Sequence, residues 1–97
     1  PVYAPGSLTA SLAKGSASGT CIATISAGNT GTTYAYKINP SERASYNQTS
    51  SAYGGTSLTS GTTEISVSAG DIIEIVNFSS SKIIAVTYIT ADSSVIK

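Results

Sequence analysis

The chain has 97 residues, five basic against five acidic side chains, no His, no Trp and one Cys. That length makes one domain with a single thin core. The scattered charge offers no basic patch for nucleic acid and no polybasic segment for an anionic membrane, so neither is an expected partner. Without His there is no imidazole base, triad or imidazole metal ligand, and one Cys builds neither a disulfide nor a structural zinc site. Catalytic residues, metal ligands and cofactors are therefore all expected to be none, and the chain reads as a non-enzyme.

The elements read as strands and turns throughout. Residues 1–6, "PVYAPG", hold two prolines and no periodicity. They read as an extended arm reaching toward a neighbour, followed by a single domain over 7–97. The arm lacks the charged and apolar regions of a signal peptide, and no apolar run approaches the ~18 residues of a transmembrane helix. In "SLTASLAKG", Leu8, Ala10 and Leu12 share one face, with Thr9 and Ser11 opposite. "KGSASG" is a turn. "TCIATIS" follows, with Cys21, Ala23 and Ile25 inward and Ile22 outward. The turn signal "AGNTG" then leads to "TTYAYKIN", which places Tyr34, Tyr36 and Ile38 on one face. These two strands are expected to form a hairpin.

From 40 to 61 the alternation dissolves into a long loop, with Tyr46, Tyr53 and Leu58 as anchors. A helical turn is expected at "PSERA", since Pro suits a first turn. Loops of this length in compact domains are often functional. Alternation returns in "TEISVS". Two long strands, "IIEIVNF" and "KIIAVTYIT", follow a "SAGD" turn. About six to seven short strands with frequent turns predict an all-β fold, a small antiparallel β-sandwich or barrel of immunoglobulin-like type.

The carboxylates Glu42, Glu64, Asp71, Glu74 and Asp92 show no metal-ligand spacing. Glu74 reads as a solvated or gatekeeping charge. Cys21 reads as a small buried apolar residue. Tyr34 and Tyr36, two apart on a strand, are expected in the core. Tyr46 and Tyr53 are the candidate ligand contacts, since exposed Tyr stacks on sugar rings. The sequons at Asn47 and Asn77 carry almost no weight in a Ser/Thr-rich chain.

The last two strands raise the sharpest question. Ile73, Ile75 and Asn77 share one face, and Ile72, Glu74, Val76 and Phe78 the other. In the next strand Ile84, Val86 and Tyr88 oppose Ile83, Ala85, Thr87 and Ile89. Strands that are apolar on both sides are normally buried on both. A domain of this size has one core layer, and covering residues such as Ile72, Val76, Phe78 and Ile83 is worth about 1.5–3 kcal/mol each. Either the 40–61 loop folds over the second face, or another subunit packs there, or a small barrel leaves it exposed. The subunit contact is the expectation, with Ile72, Val76, Phe78, Ile83 and Ile22 at the interface, through self-association, trimeric for example, or docking on a capsid. Loop coverage is the competitor.

The order of segments resembles a small domain of phage head decoration and head-fibre virion proteins. The resemblance rests on Gly15-Ser16-Ala17-Ser18-Gly19-Thr20, the strand from Ile22, "YAYKI" at Tyr34–Ile38, Tyr53-Gly54 and "TEISVSAGDIIEIV". Asn77-Phe78 departs from it, since an aspartate follows the corresponding strand in that domain. The resemblance implies a non-enzymatic part of a virus particle, a capsid decoration or head-fibre module assembled in the host cytoplasm. The alternative is a cell-surface or carbohydrate-binding β-sandwich module.

Overall fold

The structure, a computed structural model, describes residues 6–27, 31 and 33–97. The expected arm therefore lies outside the described residues except for Gly6, which already belongs to a strand. Among the described residues eight strands run in the order β1 (Gly6–Ser7), β2 (Thr9–Lys14), β3 (Thr20–Ala27), β4 (Thr33–Ile38), β5 (Thr56–Leu58), β6 (Glu64–Ser66), β7 (Ile72–Ser79) and β8 (Lys82–Thr90). A four-residue helix α1 (Ser50–Tyr53) precedes β5, and a 3₁₀ turn at Ser93–Val95 follows β8. The strands form a five-stranded sheet, β1-β8-β7-β4-β5, facing a three-stranded sheet, β2-β3-β6. This is the small all-β sandwich that the alternation predicts.

The inter-sheet core comes from one face of each strand, as a period of two requires. Cys21, Ala23 and Ile25 of β3 and Ile65 of β6 meet Ile73 and Ile75 of β7, with Leu8, Leu58, Ala85 and Ala91 closing the ends. Tyr34, Tyr36 and Ile38 pack against this cluster. Cys21 has no exposed surface, and burial pushes its thiol pKa up, so it behaves as a small apolar residue.

The expected hairpin between "TCIATIS" and "TTYAYKIN" is not formed. β3 pairs with β2 and β6, while β4 pairs with β5 and β7, so the chain crosses between sheets here. Gly and Asn supply the same local turn chemistry to a hairpin and to a sheet-crossing link. A tertiary contact decides between them. Asn77, fully buried in β7, accepts from Gly31 N–H at 2.8 Å and donates to Thr33 C=O at 2.9 Å. The apex of the link, 28–30, lies outside the described residues. Gly31 is required there, because a Cβ would run into the Phe78 carbonyl and the Asn77 amide.

The β7–β8 hairpin forms as expected, but with a bulge. Asn77 pairs with Ala85 while Phe78 pairs with Ile83, so Ile84 is the extra residue. The bulge resets the alternation. Ile83 lies on the outer side with Val86, and Ile84 and Ala85 both serve the inter-sheet core. A strict period of two puts Ile83 on the wrong face. The two-residue loop Ser80-Ser81 has φ of 51° and 63°, as a type I′ turn needs.

β1 and β2 form one extended run that changes sheets at Leu8. Gly6 pairs in parallel with Ala85 of β8. Lys97 hydrogen-bonds Gly19 and Thr20 at the turn beyond β2. Gly6 and Lys97 are therefore separated by roughly nine residues of strand rise, about 25–30 Å, along a molecule 41 Å long and 24 Å by 20 Å across.

Candidate functional site

The second face of β7 and β8 is where the sequence places function, and the chain covers most of it itself. The segment from Asn39 to Gly55 crosses the outer face of the five-stranded sheet as a strap. Beneath it Tyr53, Val76, Phe78, Ile83 and Ala35 make a second buried cluster, with Ala44 and Val86 at its margin. Val76 and Ile83 are fully buried and Phe78 is 4% exposed. Tyr53 meets Phe78 edge to face, with ring centroids 6.0 Å apart.

Local chemistry shapes the strap. Thr49 caps α1 by accepting from Ala52 N–H, and Gly54 ends it in the left-handed conformation at φ 68°. A Cβ at Gly55 would strike the Tyr53 ring, so glycine lets the ring turn inward. The expected helical turn at "PSERA" is absent and the helix forms ten residues later, where a capping Thr and a terminal Gly bracket it. At its middle the strap docks on the start of β8. Asn47 N–H donates to Ile83 C=O, Ile83 N–H to Gln48 C=O, and Ser50 N–H to Ser81 C=O, each at 2.8–2.9 Å.

Glu74 pins the strap from below and corrects the expectation of a solvated charge. Its carboxylate is fully buried. It accepts from Tyr53 Oη at 2.7 Å, from Tyr88 Oη at 2.6 Å and from Ala44 N–H at 3.0 Å. A buried carboxylate needs such donors, since its desolvation is otherwise prohibitive. Burial and the adjacent carboxylate raise the pKa of both phenols, so both hold their protons and remain donors. Each ring in turn carries a cation. Lys37 Nζ lies 4.4 Å from the Tyr53 centroid and the Arg43 guanidinium 4.2 Å from that of Tyr88.

The candidate interface residues thus separate. Val76, Phe78 and Ile83 come together, but inside the chain's own core, where a partner cannot touch them while the strap is closed. The expected single core layer is in fact two, because a segment without alternation still holds one large anchor, Tyr53. Ile22 lies half-buried on β3, in the other sheet, paired with Ala13 and Glu64. Ile72 remains at the surface, 44% exposed. Tyr53 is 2% exposed and so is an anchor with no face free for a ligand, whereas Tyr46 is half-buried. Leu58, at 5%, anchors the inter-sheet side. Sequence reasoning missed Glu74, Tyr88, Arg43 and Asn77 as organising residues. The available signal was a lone carboxylate and a lone amide within the most apolar strand.

Of the surface concavities among the described residues, two bear on the candidate residues. One, about 500 Å³, runs between the β5 and β6 edges past Tyr36, Lys37, Pro40, Gly55 and Glu64. Glu64 there already accepts from Ser16 and Ala17 N–H and from the Ser16 and Thr20 hydroxyls, which draw its pKa down to about 2. The other, about 280 Å³, surrounds Ile72. Among the described residues no three His, Cys, Asp or Glu side chains gather as metal ligands would, and no helix is long and apolar enough to cross a membrane.

No family model and no curated protein matches the chain. Among solved structures it is similar to the crystal structure of domains 7, 8 and 9 of the S-layer protein SbsC, with a TM-score of 0.69 and 21% identity. The match covers 98% of this chain and 29% of that one, close to the share one of three domains would occupy. At this identity the likeness is one of fold: both are small β-sandwiches.

Proposed function

We propose that this chain is a non-enzymatic structural module of a cell-surface protein, acting as a rigid spacer between neighbouring domains. The observation that carries this reading is the fold likeness to the S-layer domains over nearly the whole chain. One feature of the molecule supports it. The surface, rich in Ser and Thr with few charges, has turns stiffened by backbone N–H groups that donate to the carboxylates of Glu64, Asp71 and Asp92.

This favours the cell-surface alternative over the virion reading, for which the segment resemblance stands without a matching relative. Self-association through Val76, Phe78 and Ile83 would require the strap to lift. A carbohydrate-binding role would have to use Tyr46 and the β5–β6 groove, since Tyr53 is buried. The test is to raise antibodies against the folded chain and label intact cells of its source. Surface labelling, abolished by brief external proteolysis, is the expected result. Antigen confined to the cytoplasm or to purified virus particles would overturn the proposal.

A further inference from the structure

Ile72 is the one large hydrophobic residue left exposed among the described residues. It does not stand alone. Asn39, Pro40, Arg43 and Tyr88 surround it to form a dish of about 280 Å³. The walls of the dish are fixed. Tyr88 is held by Glu74, and Asn39 accepts from Ile72 N–H at 2.8 Å while donating to Asp71 at 3.1 Å. The Asp71 carboxylate at the rim is occupied by Ser68 N–H and Asn39. The Arg43 guanidinium stacks on Tyr88. Its N–H donors enter no ion pair or hydrogen bond among the described residues.

An uncommitted guanidinium backed by an aromatic ring, next to an apolar floor, is the composition of an interface hot spot. At about 280 Å³ the dish is at the small end of the roughly 300–1,000 Å³ range of ligand pockets, room for a single side chain. The open positive charge selects an anion beside it. We infer that the dish docks another protein presenting an aliphatic or aromatic side chain next to a carboxylate, the apolar group on Ile72 and Pro40 and the carboxylate on Arg43. Because the walls are held by hydrogen bonds before binding, little ordering is needed on this side.

The probe is N-acetyl-leucine, compared with N-acetyl-leucine amide, which keeps the apolar group and loses the charge. Each is titrated into ¹⁵N-labelled protein. Shifts should centre on the amides of Asn39, Arg43, Ile72 and Tyr88, and the carboxylate should bind about tenfold tighter, as one charge-assisted hydrogen bond gives. Arg43→Gln should remove that preference while leaving the amide's binding, and Arg43→Lys should keep part of it. Ile72→Ser should weaken both probes about tenfold or more. The spectra themselves report whether each variant is folded. Shifts elsewhere, equal binding of the two probes, or a preference that survives Arg43→Gln would overturn the inference. So would shifts at these residues produced by raising protein concentration alone, which would assign the dish to a contact between copies.

Discussion

Tyr53→Phe removes one oxygen from the strap and should destabilise the protein well beyond what that atom's area suggests. The lost hydroxyl donates at 2.7 Å to a carboxylate with no exposed surface, so no solvent replaces it without the strap moving. A hydrogen bond to a charged group is worth about 1.5–3 kcal/mol. For a domain near 100 residues each kcal/mol shifts Tm by about 4–8 °C, so the expected fall lies between roughly 6 and 24 °C. Tyr53→Ala also empties the ring's site against Phe78, and aromatic-to-Ala changes in cores cost about 3–5 kcal/mol. That is a large part of the ~5–15 kcal/mol stability of a small domain. The strap should then lift and expose Val76, Phe78 and Ile83, giving dye binding and concentration-dependent light scattering. Urea unfolding followed by circular dichroism measures the first variant, and light scattering the second. A Tyr53→Phe loss below about 0.5 kcal/mol would refute the reasoning, since that is the ordinary scatter of surface substitutions. Tyr46→Phe serves as the control and should fall within that scatter.

Three further outcomes are expected. Ser81→Gly relieves a non-glycine residue at φ 63° and should raise stability by about 0.5–1 kcal/mol, seen as a higher urea midpoint at unchanged slope. Asn77→Ala strands the Gly31 N–H and the Thr33 C=O and should cost about 1–3 kcal/mol for each group left unpaired, with local loss of amide-exchange protection in β4. Glu64 has a folded pKa of about 2, lowered first by the Ser16 hydroxyl, against an ordinary 4.5. Its contribution is therefore complete above pH 4.5 and lost as pH falls toward 2. Glu64→Gln should flatten the fall in Tm across that window, and an unchanged acid limb would contradict the assignment.

Some of this molecule is written plainly in the chain. The alternation of Leu8–Leu12, Cys21–Ile25 and Tyr34–Ile38 gives strands and their inward faces, and a pleated backbone leaves no other reading of that period. Apolar residues on both sides of Ile72–Phe78 correctly announce a strand covered twice. What covers it is not local information. The strap is drawn down by one ring, and its sequence carries no period that points to a layer. The link after β3 has hairpin chemistry, yet crosses the sandwich because Asn77, some 46 positions away, holds Gly31. Glu74 looks solvated until two tyrosines from separate elements close on it. The sequence by itself determines which side chains share a face. Only the tertiary structure decides which surface each face meets, because that depends on contacts between segments far apart in the chain. Here it placed Val76, Phe78 and Ile83 in an internal second core and left Ile72 at the surface.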